Sequence, residues 1–241
     1  MRPLFTLLLC LCFYALFAQQ RPTLLTLKAG YTAHNINYSS DFLRQVVPPT
    51  LSSSYWGEDS ERAGLSLGLG IDFPVGKRFR YFIYANYLTL GSDMETYLPI
   101  SPLSPIVSGS ANVPVYIDGR MTYHYVGIET GLSYYPKGDN SGWMIGLVFR
   151  QLSMFQTSWE IELQYANSTT LGRLDDISEI EQPKYNSSYV LGLQLGYQLW
   201  LSDFLAITPI LDISNSVNPI REDKYATLGL ISIGGKASFS F

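Results

Sequence analysis

Eight segments of this chain alternate with a period of two, and one face of each segment carries no charge. In the last segment, Ile231, Ile233, Ala237, Phe239 and Phe241 fall on one face, opposite small polar residues and a single Lys. Successive side chains of a β-strand point to opposite sides, so the pattern predicts strands with two unlike faces. An uncharged apolar face opposite a small polar face suits a strand with lipid on one side and a narrow lumen on the other.

The apolar faces of the other seven segments share this lack of Asp, Glu, Lys and Arg. In chain order they consist of alternate residues within 25–33, 65–73, 81–87, 126–134, 143–149, 189–201 and 205–213. A charged side chain that faces lipid costs roughly 2–4 kcal/mol at the middle of the bilayer, so this absence favours a membrane barrel. The opposite faces are rich in Gly, which leaves room for larger side chains in a narrow lumen.

Short and long connections alternate along the chain. The short ones lie at 74–78, 136–142 and 202–203, and the long ones at 36–62, 91–121, 156–188 and 214–224. Short turns at one rim and long loops at the other are typical of outer-membrane barrels. We therefore predict an all-β fold, an eight-stranded antiparallel up-and-down transmembrane β-barrel. It should have short periplasmic turns, long extracellular loops and both termini in the periplasm.

A soluble eight-stranded barrel of the lipocalin type is the alternative fold. It requires polar residues outside and apolar residues inside, and the large apolar side chains of this chain would overfill so narrow a cavity.

Two local features modify the membrane-barrel pattern. Pro209 lacks a backbone N–H, which predicts a bulge or a gap in the seventh strand. The alternating run 159–165 predicts that the hairpin at the third long loop continues beyond the membrane.

The first residues have the composition of a signal peptide. Arg2 supplies a positive charge, 4–16 form an apolar stretch, and Ala18 precedes a cleavage point. The stretch is shorter than the ~20 residues of a membrane-spanning helix, which favours a cleaved signal over an anchor. We predict a signal peptide at 1–18, a single barrel domain at 19–241 and a location in the bacterial outer membrane.

Composition and motifs argue against several function classes. The 16 basic residues face 20 acidic ones, and no basic run offers the electrostatic footprint of nucleic-acid binding. Cys10 and Cys12 both lie in the predicted signal, so we expect no disulfide or thiolate metal site in the barrel. The acidic runs 58–61 and 175–181 match no calcium-loop spacing, and we predict solvated loops there, with no metal or cofactor.

Six charged residues lie on the faces opposite the apolar ones, and we say that they have lumen parity. Three are positive and three negative: Lys28, Arg150 and Lys236, and Asp72, Glu129 and Asp212. Because unpaired charges are costly in a narrow lumen, we predict a structural plug, and the alternative is a proton or ion path. The hairpin register predicts a Glu129–Arg150 ion pair, for which a charge swap should be milder than loss of either charge. Lys28 and Lys236 are expected to pair with Asp72 near the periplasmic end.

The two histidines bear on a catalytic alternative. His34 and His124 lie near the outer ends of their strands, where an enzyme acting on lipid would need a Ser–His–acid group. His34 has lumen parity, whereas His124 has the parity of the apolar face. We therefore predict that the two do not converge and that the protein is not an enzyme.

Two features carry a family resemblance: the aromatic end of the last strand and the opening of the first, Leu27-Lys28-Ala29-Gly30-Tyr31. Together with the signal and the eight strands, they make the chain resemble the PorT-like outer-membrane β-barrel proteins. The resemblance implies a part in protein secretion or cell-envelope assembly and brings no catalytic residues with it.

Three functions are compatible with the sequence. The preferred one is a non-enzymatic envelope barrel whose outer loops or periplasmic rim dock partner proteins. The alternatives are a small channel or porin and a lipid-modifying rim enzyme. Expected partners are outer-membrane lipids, envelope or secretion proteins, and the barrel-assembly machinery. The last should recognise Phe239 and Phe241 as a C-terminal insertion signal.

Overall fold

The barrel is built from antiparallel strands alone. The computed structural model describes residues 22–35, 56–98, 115–138, 142–165, 170–174, 187–218 and 228–241. In these ranges the strands are β1 (Leu24–His34), β2 (Trp56–Arg62), β3 (Gly64–Val75), β4 (Phe79–Leu98), β5 (Val115–Tyr134), β6 (Gly142–Tyr165), β7 (Thr170–Leu174), β8 (Ser188–Trp200), β9 (Leu205–Ser216) and β10 (Gly229–Ser240). The signal-peptide prediction lies outside the described residues.

Eight of the strands close into a barrel, which confirms the predicted fold. Around the barrel the order is β1, β3, β4, β5, β6, β8, β9 and β10. Closure comes from β1 and β10, which pair over eleven residues from Leu24 opposite Ser240 to His34 opposite Leu230. In a closed sheet every strand has two neighbours, so no barrel edge is left unpaired.

The barrel has one rim with short connections and one with longer strands. At the first, the turn rim, β3 and β4 are joined by three residues whose Gly76 has φ 70°, a value that favours Gly. At the other, the loop rim, β4, β5 and β6 continue far past the ends of the other five barrel strands. There β2 pairs with β4, and β7 pairs with β6. We call β2, β7 and the continued parts of β4, β5 and β6 the strand extension.

The extension corrects two predicted loops. The loop expected at 36–62 contains strand β2, and the loop expected at 91–121 is paired up to Leu98 and again from Val115. The acidic run 58–61 is therefore part of a strand, not of a solvated loop, whereas 175–181 lies outside the described residues. The prediction that the hairpin continues through 159–165 is confirmed, since β6 pairs with β5 up to Tyr165.

The two faces of the barrel wall follow the predicted parity. Lumen residues are buried, whereas large apolar residues stand exposed outside, such as Leu147 (64%), Leu193 (56%) and Ile233 (67%). This arrangement is the reverse of a soluble barrel and presents lipid with the surface that it requires. Among the described residues, no helix is long and apolar enough to cross a membrane.

Aromatic side chains gather on the outer face at the turn rim. Phe79 and Tyr134 have ring centroids 5.1 Å apart, and Trp143 and Tyr197 meet edge to face at 5.3 Å. Rings with polar edges favour the boundary between lipid and water, so these pairs mark one edge of the membrane. Phe241 lies at the same rim and is 79% exposed, while the insertion role of Phe239 and Phe241 stays a prediction.

Pro209 interrupts one of the two ladders of β9. Pairing with β10 is continuous through Pro209 opposite Gly235. Pairing with β8 skips Tyr197 and Gln198 and resumes in the same register at Leu199 opposite Ile207. The expected irregularity is thus a local gap without a bulge, at a residue that has no N–H to donate.

Candidate functional site

Glu129 is the centre of the charged side chains in the lumen. It lies across from Arg150, whose Nε donates to Glu129 Oε2 at 2.6 Å, so the predicted contact is confirmed. Lys28 Nζ donates to both oxygens of the same carboxylate at 2.8 and 2.9 Å. Asn86 Nδ2 adds a fourth hydrogen bond at 3.0 Å. A carboxylate that is 1% exposed is therefore held by two cations and an amide.

The guanidinium of Arg150 continues the network across the lumen. Its Nη1 donates to Asp212 Oδ1 at 3.0 Å and to Ser214 Oγ at 2.8 Å, and its Nη2 donates to Asp212 Oδ2. Gln194 Nε2 lies 3.4 Å from Asp212 Oδ2. Lys28, Glu129, Arg150 and Asp212 thus alternate in sign, and their charges cancel within the network, as buried charges require.

This network joins strands that are not neighbours in the wall. Lys28 on β1 reaches Glu129 on β5 past β3 and β4, and Arg150 on β6 reaches Asp212 on β9 past β8. With Asn86 on β4 and Gln194 on β8, six barrel strands contribute side chains. The lumen network therefore braces the barrel from inside, in addition to the backbone ladders of the wall.

The predicted pairing with Asp72 is wrong for Lys28, whereas Lys236 is the cation that acts most strongly on the Asp72 carboxylate. Lys28 binds Glu129 instead, and Lys236 Nζ lies over the rings of Phe82 and Tyr84, 4.7 and 5.2 Å from their centroids. Asp72 Oδ1 accepts a hydrogen bond from Tyr84 Oη. The register of β1 with β3 explains the outcome for Lys28, because it places Asp72 opposite Leu24, four residues along β1 from Lys28.

Sequence reasoning also missed lumen residues of β4. Arg80 is fully buried and donates from Nη1 to the carbonyl oxygen of Pro22 at 3.2 Å. It makes a fourth buried cation among the described residues, where three were expected. Arg80 shares its parity with Phe82 and Asn86, so extending the alternation of this strand by one residue would have found it.

Uncharged side chains occupy the lumen on both sides of the network. Towards the loop rim the buried residues are Leu88, Leu90, Met121, Tyr123, Tyr125, Leu152, Val190 and Leu230. Towards the turn rim they include Leu24, Phe82, Tyr84, Tyr135, Met144 and Ile210. A void beside Arg150, also lined by Thr32 and Asn86, measures about 10 Å³, roughly the space of one water. These side chains therefore narrow the described part of the lumen on both sides of the network.

The two histidines face opposite sides of the wall and do not converge, as predicted. His34 is buried, and its Nε2 lies 2.8 Å from the carbonyl oxygen of Gly91. His124 lies on the outer face, with Nδ1 2.7 Å from Tyr87 Oη and Nε2 3.5 Å from Ser158 Oγ. Within the described ranges no carboxylate contacts His124, so the Ser–His–acid arrangement lacks its acid there.

Three carboxylates line up across the strand extension. Asp118 on β5 stands opposite Glu95 on β4 and Glu162 on β6. Partial burial, followed by repulsion from Glu95 and Glu162, raises the pKa of the Asp118 carboxyl above its ordinary value, while Arg120 opposes the rise. In the part of the chain that the structure describes, no group of three or more His, Cys, Asp or Glu is placed to hold a metal ion.

No protein-family model and no curated protein matches the chain. Among solved structures it is similar to Neisserial surface protein A (8% identity, 91% of this chain, 97% of that chain, TM-score 0.42). It is also similar to Ail, the attachment invasion locus protein of Yersinia pestis (9% identity, 91% of this chain, 100% of that chain, TM-score 0.36). A third is the TodX deltaS2S3 mutant monoaromatic hydrocarbon channel (8% identity, 93% of this chain, 92% of that chain, TM-score 0.33). Identities this low carry no functional assignment to the present chain.

Proposed function

We propose that this protein is a non-enzymatic barrel of the bacterial outer membrane that conducts no solute and docks envelope or secretion proteins. The lumen network carries the proposal, because Lys28, Glu129, Arg150 and Asp212 cross the space through which a solute would pass. Side chains packed above and below the network support the same reading. The structural plug, rather than an ion path, accounts for charges that bind one another and leave a void of one-water size.

The strand extension is the proposed docking element. It lies beyond the part of the barrel whose outer face is apolar. Its exposed charged residues include Glu95, Asp118, Arg120 and Glu160. Both described termini lie at the turn rim. We propose that this rim faces the periplasm and that the extension lies outside the cell. The resemblance to PorT-like proteins favours secretion or envelope assembly as the process served.

Planar-bilayer recording of the reconstituted full chain tests the plug. We expect no steady conductance beyond leak, from the intact protein and equally from an exposed-site control variant, Lys77→Gln at the turn rim. Stable single-channel openings from the intact protein would instead support the small-channel alternative. Docking is tested separately by mild crosslinking in native outer membranes. A variant that lacks two of the extension charges (Asp118→Asn, Arg120→Gln) should recover fewer envelope proteins than Lys77→Gln.

A further inference from the structure

The outer face of β4, β5 and β6 changes from apolar to polar side chains at one level near the loop rim. The lipid-facing surface ends with Val126 and Phe155, which are 44% and 54% exposed. Phe155 is the extra residue of a bulge, because Tyr125 pairs with Met154 while His124 pairs with Gln156. The His124 ring centroid lies 6.1 Å from that of Tyr87 and 6.2 Å from that of Phe155. Aromatic and imidazole rings here mark the second boundary between lipid and water.

A row of three polar residues and one glycine follows immediately beyond those rings. Arg62, Gly91, Thr122 and Ser158 stand side by side on β2, β4, β5 and β6. The Arg62 side chain crosses over Gly91, and its Nη2 donates to Thr122 Oγ1 at 2.6 Å. A Cβ at position 91 would lie 2.7 Å from Arg62 Nε, so the missing side chain is what lets the guanidinium cross. His124 Nε2, 3.5 Å from Ser158 Oγ, borders the same row.

Two guanidiniums meet at the base of this row beside two carboxylates, Asp93 and Glu160, the second of which stands opposite Arg120. Asp93 Oδ1 lies 3.7 Å from Arg62 Nε and 3.6 Å from Arg120 Nε, so one carboxylate is shared by two guanidiniums. Both guanidiniums are partly exposed, as is Asp93. Guanidinium and hydroxyl donors arranged together are suited to a phosphate group, which accepts several hydrogen bonds at once.

We propose that Arg62, Thr122, Ser158 and His124 bind the phosphate group of a membrane lipid. The rings of Tyr87 and Phe155 would contact the glycerol and acyl portion of the same molecule. The row Glu95, Asp118 and Glu162 lies on the far side of Arg120 from the membrane, and its repulsion disfavours anions that approach from solution. A phosphate carried by a lipid reaches the site from the membrane side, where no such row intervenes.

Native mass spectrometry of the full chain in an uncharged detergent tests the site. The probes are phosphatidic acid, which carries a phosphate, and diacylglycerol with the same acyl chains but none. We expect phosphatidic acid to be retained preferentially. Arg62→Gln should weaken its binding by about tenfold, since charge-assisted hydrogen bonds are the strong ones. Arg78→Gln, which removes the same charge from an exposed position at the turn rim, should leave binding unchanged.

Two further variants separate the site from general electrostatics. Gly91→Ala keeps every charge but displaces the flexible Arg62 side chain, and Thr122→Val removes its hydroxyl partner, so each should weaken binding by a smaller factor. The heat-dependent gel shift of each variant confirms that its barrel is folded. Equal binding to Arg62→Gln and Arg78→Gln, or equal retention of diacylglycerol, would overturn the site. Competition by inorganic phosphate at the lipid's own concentration would show a free-anion site and overturn the assignment to lipid.

Discussion

Glu129 is the residue whose loss should damage the lumen most, because it accepts hydrogen bonds from two cations at once. Glu129→Gln keeps the shape but removes the charge and leaves Lys28, whose side chain is 4% exposed, without its carboxylate. We expect the free energy of unfolding to fall by about 3–5 kcal/mol, as for other buried pairs broken on one side. Urea titration in detergent micelles, followed by the heat-dependent gel shift of the folded band, measures the loss.

The double variant Lys28→Met, Glu129→Gln is the matched control. It removes one cation with one carboxylate and leaves Arg150 bound to Asp212, so it should recover part of the lost stability. A Glu129→Gln protein as stable as the wild type would contradict the role given to this residue.

The contacts also reverse the sequence-based expectation for a swap of the charges at 129 and 150. Arg at position 129 would face Lys28, and Glu at position 150 would face Asp212, so the swap should be worse than either single change.

At the scale of elements, the strand extension contains an unfavourable row of like charges. Asp118 stands directly between Glu95 and Glu162, and carboxylates opposite each other destabilise a sheet. The pKa of Asp118 is raised by partial burial and then by these two neighbours. The folded extension therefore holds the Asp118 proton more tightly than the unfolded chain does. The repulsion is fully present above the raised pKa and is relieved as the pH falls through it towards 3.8, the ordinary value.

Asp118→Asn should consequently increase the hydrogen-exchange protection of the extension at neutral pH. The gain should shrink as the pH is lowered, since the wild-type carboxyl then carries a proton and no longer repels its neighbours. Amides of β5 between 115 and 121, compared at each pH with their unprotected exchange rates, report the effect. Asp203→Asn, at the exposed turn rim, provides the control and should change nothing there. A gain that persists unchanged in acid would mean that charge repulsion is not its cause.

How much of the fold the sequence could predict depends on whether a feature is set within one strand or by contacts between distant strands. The face of every barrel residue follows from alternation along one strand, so the lipid-facing sets and the Glu129–Arg150 register were accessible. Strand β2 was not, because it is polar at every position from Glu58 to Arg62 and is held by backbone pairing to β4. The contact of Lys28 with Glu129 was equally inaccessible, since it spans the lumen between strands with two others between them.

At the scale of the whole molecule, the barrel depends on the seam between β1 and β10, strands that lie at opposite ends of the sequence. Side chains on the lumen side meet across this seam. Thr26 Oγ1 lies 2.9 Å from Ser238 Oγ, and Thr32 Oγ1 lies 2.8 Å from Ser232 Oγ. Lys28 and Lys236 are opposite each other in the same register, so closure places two like charges together. The lumen network, which binds Lys28 through Glu129, offsets that cost.

Paired cysteines across the seam test this closure directly. Opposed residues of antiparallel strands have Cα atoms roughly 4.5–5.5 Å apart, within the range that a disulfide spans. Thr26→Cys with Ser238→Cys should therefore form a disulfide when the folded protein is oxidised, and so should Thr32→Cys with Ser232→Cys. The mismatched pair Thr26→Cys with Ser232→Cys should not, because six positions along β10 separate its second residue from the partner of Thr26. Non-reducing gels of unfolded samples, on which a linked chain migrates faster, separate these outcomes. Linkage in the mismatched pair alone would mean a different register, and linkage in none of the three would mean that the first and last strands do not meet.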